Sequence, residues 1–317
     1  MKVINLNLLL CFFITACSSV ETKVVNLEHP SEGQIQLAEG IAIDKINSGY
    51  TLWYNETRPR KGMLVFFNPR RDEEESSELI DYCLENDLAV LYATTDNRLE
   101  FLFKDEKMEE LHDYLKEVIQ LYDIPRDQLL YCGMSLAGTR ALKMTVYGNS
   151  HSGADQIVPK AIAICDAPLD MLRFFKANKR AAEIDYNPIA SNEGYWVSSY
   201  LEANLGNPAN DADNYINYSP YTYQLNGGLH LNAFENTAIR AYTEPDVNWW
   251  IKERRKSYYG MNAIDMAAFV NELKIRNHPN AELITTQEKG FLEDGKRHPH
   301  SWSIVDEAEL IDWFLAL

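Results

Sequence analysis

Four short runs of the chain are apolar at most positions: Met63-Leu64-Val65-Phe66-Phe67, Leu88 to Ala93, Asp127 to Cys132 with its core Leu129-Leu130-Tyr131-Cys132, and Lys160 to Cys165. A strand of this kind has no face to show to water, so it belongs in a sheet covered by helices on both sides. The segments between the runs carry the period of such helices. Leu79, Ile80, Cys83 and Leu84 share one face of Ser76 to Glu85, and Met108, Leu111, Leu115, Val118 and Tyr122 share one face of Glu106 to Tyr122. Further along, the pattern predicts strands at Ala238 to Tyr242 and Ala281 to Thr286, and helices at Asn262 to Arg276 and Val305 to Phe314. Such alternation predicts an α/β fold, a mostly parallel, doubly wound sheet with helices on both faces. Gly40 to Tyr54 alternates apolar and polar residues around Asn47-Ser48-Gly49, which predicts a leading antiparallel hairpin. The alternation breaks once, over about seventy residues between Cys165 and Thr237 that are rich in Tyr and Asn and carry no clear strand.

The N-terminus stands apart. Met1-Lys2 is followed by an apolar stretch to Ile14 and then by Thr15-Ala16-Cys17-Ser18-Ser19. This is a basic start, an apolar region too short for a mature spanning helix, and small residues ahead of a cysteine. It resembles a bacterial lipoprotein signal, which implies cleavage before Cys17, a lipid on Cys17, and an exported protein anchored in the cell envelope, at the outer membrane or cell surface. Residues 1–16 are then the signal. Residues 17–39 are polar with little periodicity and read as a tether, and 40–317 form one domain; the whole chain is 46% hydrophobic, enough for a sizeable core. Removing the signal moves the formal net charge from −17 to −18, because Lys2 is its one charged residue. A surface so acidic repels phosphate backbones and anionic lipid, so no nucleic-acid partner is expected and the membrane is met only through the lipid anchor. Cys83, Cys132 and Cys165 sit in apolar settings without C-x-x-C or C-x-H spacing, so they read as buried thiols, and neither a metal nor a cofactor is expected.

One serine stands where a nucleophile would. Gly133-Met134-Ser135-Leu136-Ala137-Gly138 joins the third apolar run to a helix expected over Thr139 to Tyr147. A serine on such a strand-to-helix corner is held above the sheet end, with N–H groups of the helix start beside any oxyanion formed there. The motif departs from Gly-x-Ser-x-Gly in placing Ala137 last, with Gly138 following. Downstream, Thr243-Glu244-Pro245-Asp246 puts acids just past a strand end, and Arg297-His298-Pro299-His300-Ser301-Trp302 puts histidines in the loop before the final helix. Serine, acid and histidine in this order follow the α/β-hydrolase triad. On these residues, Gly40 to Leu317 resembles the α/β-hydrolase superfamily, and within it the esterase-like secreted hydrolases whose last histidine precedes Ser-Trp.

The resemblance implies a serine hydrolase with Ser135 as nucleophile, His300 as base and Asp246 as the acid that fixes the imidazole tautomer. His298 is the alternative base, and Glu244 and Asp166 are alternative acids, with Asp170 beside the latter. Asp246 also reads as a helix cap and Asp166 as a turn residue. The oxyanion would be held by the Leu136 N–H and by a donor from Asn68-Pro69-Arg70-Arg71-Asp72, a loop without the family's glycines. Pro69 has no N–H, which leaves Asn68, through backbone or side chain, or the Arg70 backbone. The insertion at about 166–236 would be a cap over the catalytic edge, with Trp249 and Trp250 as pocket wall or as packing. The expected activity is cleavage of a small-molecule or glycan-linked ester through an acyl-enzyme. A serine peptidase of the same fold is the alternative chemistry, and an inactive hydrolase fold used as a surface binding protein is the alternative of another class.

Overall fold

An eight-stranded sheet runs through the centre of the molecule in the computed structural model, which describes residues 21–69, 77–225 and 230–317. In chain order the elements are β1 (Thr22–His29), β2 (Gln34–Ala38), β3 (Ile41–Asp44), β4 (Ser48–Asn55), β5 (Gly62–Phe66), α1 (Glu78–Glu85), β6 (Leu88–Thr94), α2 (Asp105–Leu121), β7 (Leu129–Met134), α3 (Leu136–Asn149), β8 (Ala161–Cys165), α4 (Met171–Ile184), α5 (Pro188–Leu205), α6 (Pro208–Tyr218), β9 (Ala238–Thr243), α7 (Val247–Arg254), α8 (Ala263–Ile275), β10 (Ala281–Thr285) and α9 (Glu307–Ala316). The strand order is β1-β4-β6-β5-β7-β8-β9-β10. Pairings from β6 through β10 are parallel, and β4 runs antiparallel to both β1 and β6. This is the mostly parallel, doubly wound sheet that the alternation predicts.

The apolar runs are continuous because alternate side chains serve opposite cores. Met63, Val65 and Phe67 join Leu129 and Tyr131 against Leu115 and Val118 of α2, Leu142 of α3 and Phe269 of α8. Leu64 and Phe66 join Leu130 and Cys132 on the other face, against Ile80 and Leu84 of α1 and Ile311 and Phe314 of α9. Cys83, Cys132 and Cys165 are buried free thiols in this second core.

Two N-terminal expectations need correction. Residues 17–39 are not a tether throughout: β1 pairs residue for residue with β4 from Thr22↔Asn55 to His29↔Ser48, and its Val25 and Leu27 pack on the core. Nor do the two halves of Gly40 to Tyr54 pair with each other. β3 turns back on β2, while β4 enters the main sheet between β1 and β6. Gly49 is therefore a strand residue, and a Cβ there would stand 1.9 Å from the Leu27 carbonyl oxygen. The signal residues 1–16, Cys17 and Arg70 lie outside the described residues.

The insertion between β8 and β9 is helical because its sequence starts helices repeatedly. Asn187 and Asn207 each cap the next helix, accepting from Ala190 N and Ala209 N at 2.9 Å, and a proline opens α5 and α6. Its core, with Phe175, Leu201 and Tyr215, meets Leu37 of the β2–β3 hairpin, Phe101 and Phe103 of the loop after β6, and Leu136 beside the serine. These last contacts place the inserted helices on the carboxyl edge of the sheet.

Candidate active site

The sequence around Ser135 makes a corner that only small residues can build. Ser135 has φ 53 and ψ −125, outside the ordinary regions for a residue with a Cβ, which stores about 1–3 kcal/mol of strain. A Cβ on Gly133 would lie 2.3 Å from the Ala137 carbonyl carbon, and one on Gly138 would lie 2.7 Å from Ala167 Cβ. The second glycine of the motif is thus needed at 138, where α3 crosses the end of β8, and Ala137 fits at the position the usual pattern gives to glycine. Ser135 N donates to Cys165 O at 2.8 Å and Thr139 Oγ1 to Pro168 O at 2.6 Å, so residues 135–139 are tied to 165–168 along their length. At the first turn of α3 the N–H of Leu136 has no helical acceptor and is free to face an oxyanion.

The carboxylate that meets the imidazole is Asp166, not Asp246. Asp166 directly follows β8, and His300 Nδ1 donates to its Oδ2 at 2.6 Å. A carboxylate only accepts, so the ring proton sits on Nδ1, and Nε2 carries the lone pair. Asp166 is locked on every side. Thr243 Oγ1 donates to Oδ1 at 2.9 Å, its backbone N donates to Tyr242 O at 2.8 Å, and Asn262 Nδ2 donates to its backbone O at 2.9 Å. Its φ of 45 shows that it too is held in an unfavourable conformation by these contacts. Cys165 Sγ donates to Ser301 O at 3.5 Å, so the histidine loop and the serine corner both abut the Cys165-Asp166 step.

Asp246 is occupied elsewhere. It caps α7 by accepting from Trp249 N at 3.0 Å, the helix-cap role its sequence position allowed, and it pairs with Arg297 Nη2 at 3.0 Å. Glu244, 3% exposed, accepts from Thr286 Oγ1 at 2.8 Å, Lys289 N at 2.9 Å and Gly290 N at 3.2 Å, and also holds Arg297. Both acids therefore anchor the loop that carries the histidine. His298, the alternative base, donates from Nδ1 to His300 O at 2.9 Å and packs edge-on against Trp249 with ring centres 4.7 Å apart. Burial, then the neighbouring His300, pushes its pKa down. Asp170 caps α4, accepting from Arg173 N at 2.9 Å.

The loop after β5 is positioned by a residue whose sequence context gave no hint of it. Arg140 of α3 is 3% exposed and donates to three backbone carbonyls: Phe67 at 2.7 Å, Arg98 at 2.9 Å and Glu100 at 2.6 Å. Burial lowers its pKa to about 10, which leaves it charged at neutral pH. It fixes Phe67 immediately before Asn68, the candidate oxyanion donor. The Asn68 side chain donates one of its two amide hydrogens to Pro69 O at 3.0 Å. Among the described residues, no group of three or more His, Cys, Asp or Glu side chains is placed to hold a metal ion.

Glu193 of α5 approaches the same region from the inserted helices. Burial opposes its ionisation, but Lys256 at 3.4 Å and the more distant His300 outweigh that and hold its carboxyl below the usual range. The Trp250 ring neighbours both Lys256 and His300, 5.3 Å from the Lys256 ammonium and 6.4 Å from the His300 ring.

No family profile and no curated protein matches the chain. Solved structures resemble it in fold. An acylaminoacyl peptidase in complex with Z-Gly-Gly-Phe-chloromethyl ketone aligns with a TM-score of 0.55 at 13% identity, over 93% of this chain and 41% of its own. A puromycin-hydrolyzing peptidase of Mycobacterium tuberculosis aligns with a TM-score of 0.55 at 12% identity, over 84% of this chain and 37% of its own. A prolyl endopeptidase gives 0.52 at 12% identity, over 93% and 38%. The chain spans about two fifths of the length of these peptidases. With its strand order, its serine corner and these likenesses, the chain has the α/β-hydrolase fold.

Proposed function

We propose that this protein is a serine hydrolase that cleaves a carboxylic ester through an acyl-enzyme on Ser135. The observation that carries the reading is the hydrogen bond from His300 to the locked Asp166, beside a serine on a strained strand-to-helix corner. In this reading His300 Nε2 takes the Ser135 proton as Oγ attacks the ester carbonyl, and the Leu136 N–H receives the oxyanion together with Asn68 or Arg70. Collapse expels the alcohol, which leaves with the proton from His300. Water then enters, gives a proton to His300 and releases the acid, and Ser135 recovers its proton.

Peptide cleavage is the second reading, favoured by one observation: three of the solved structures that share the fold are named as peptidases. The two chemistries separate on a panel of 4-nitrophenyl acyl esters and aminoacyl 4-nitroanilides. Esters are expected to turn over at least about a hundredfold faster than amides of the same acyl group. Amide turnover equal to ester turnover transfers the proposal to a peptidase. Turnover of neither, with no labelling by a fluorophosphonate, leaves an inactive fold serving as a surface binding protein.

We also propose export and anchoring through a lipid on Cys17. Replacing Cys17 by Ser should abolish incorporation of an alkyne-tagged fatty acid and move the protein from the membrane pellet to the soluble fraction. Retention of the variant in the pellet would show that something other than this lipid holds it.

A further inference from the structure

A groove of about 330 Å³ lies between α4 and the segment that follows α7, and its charge is opposite to that of the molecule. Arg173, Lys176 and Arg180 reach it from one face of α4, at the three- and four-residue spacing that keeps side chains on one side of a helix. Arg255 and Lys256 reach it from the opposite wall. The chain has 47 acidic and 30 basic residues, yet five cations and no carboxylate line this groove. Two of the five have acidic partners outside it: Arg173 bonds Asp265 at 2.6 Å and Lys256 bonds Glu193 at 3.4 Å. Among the described residues, no carboxylate lies within ion-pair distance of Lys176, Arg180 or Arg255. Arg173 also keeps two buried N–H-bearing atoms, Nε and Nη1, without an acceptor.

Two facing walls of like charge repel each other, and the repulsion is relieved when an anion enters between them. The volume is at the small end of the range for small-molecule sites. Ile184 and Tyr259 add apolar surface beside the cations. We infer that this groove is a binding site for a small organic molecule bearing a carboxylate or phosphate, its charge held by Lys176, Arg180 and Arg255 and its carbon skeleton lying against Ile184 and Tyr259. The site is joined to the catalytic region at two points. Lys256 and His300 are both neighbours of the Trp250 ring, 5.3 Å and 6.4 Å from it, and Arg173 Nη2 bonds Asn262 Oδ1 at 3.1 Å while the same amide bonds Asp166 O. The anionic group is therefore either a substituent of the molecule cleaved at Ser135 or a separate ligand seated next to it. The first source rests on the hydrolase reading, and the binding itself does not.

The full chain carrying Ser135→Ala is titrated calorimetrically with sodium citrate and with inorganic phosphate, with and without Lys176→Gln and Arg180→Gln. Both groups are exposed, and a matched thermal midpoint verifies that the neutralised variant is folded. Citrate is expected to bind, less tightly as salt is raised, and the double neutralisation should weaken it about tenfold. Absence of millimolar binding of either anion, or equal affinity in the neutralised variant, overturns the site. The wild-type serine background then identifies the source through mono-4-nitrophenyl glutarate and 4-nitrophenyl butyrate. If the anionic ester has the higher kcat/KM and loses that advantage with Lys176 and Arg180 neutralised, the groove takes part of the substrate. If binding is lost in the variant while the two esters keep their ratio, the groove serves a separate anion. If wild type cleaves neither ester, the hydrolase reading fails while the calorimetric result stands.

Discussion

Ser135→Ala is expected to reduce ester turnover by about four to six orders of magnitude and to abolish fluorophosphonate labelling, with the fold unchanged. The size follows from the proposed mechanism: without the hydroxyl there is no acyl-enzyme, and the His300–Asp166 pair has no proton to move. The fold should persist because Ala has the same Cβ demand as Ser at φ 53, and the anchoring bond from residue 135 to Cys165 O comes from the backbone. Ser135→Gly separates strain from chemistry. It should be equally inactive but more stable by about 1 kcal/mol, since glycine occupies this conformation without the penalty. Urea unfolding of the three proteins reads the difference. Near-wild-type turnover in Ser135→Ala would remove the hydrolase reading, and a glycine variant less stable than the alanine one would show that the corner is not strained.

The parallel strands could be read to within a residue or two because their signal is local: β5, β7 and β8 are apolar throughout, and helices with apolar faces separate them. β1 could not. It is an edge strand with mostly exposed residues, and what makes it a strand is its register against β4, which no local window contains. The candidate serine and histidine were recognisable for the same local reason, one on a strand-to-helix corner and the other before the last helix. The acid was not, because several carboxylates stand just past strand ends and their local contexts look alike. The choice among them rests on long-range contacts: Arg297 draws Asp246 and Glu244 into the base of the histidine loop, and Thr243 and Asn262 hold Asp166 beneath the imidazole. Arg140 is a case of the same kind. Five residues after the serine on a helix, it reads as a surface cation, and only the paths of two distant loops make it the point where three carbonyls meet.

Asp166→Asn should lower kcat by about ten-thousandfold, and the reason lies in Thr243. Its hydroxyl donates to Oδ1, so an asparagine here keeps its carbonyl oxygen on Thr243 and turns its NH2 toward His300. Nδ1 must then accept, the ring proton moves to Nε2, and the lone pair meant for Ser135 is gone. Asp246→Asn is the control. Asn remains a good helix cap, and the half-exposed ion pair with Arg297 contributes about 1 kcal/mol or less, so turnover should stay within about threefold of wild type. Glu244→Gln should act on stability instead, with a loss of about 3 kcal/mol, because it leaves Arg297 short of its buried counter-charge while His300 keeps its own carboxylate. Steady-state kinetics and urea unfolding on the three variants distinguish these roles. A collapse of turnover in Asp246→Asn with normal rates in Asp166→Asn would return the acid to the loop after β9, which would require the histidine loop to rearrange by breaking the bond between His300 and Asp166.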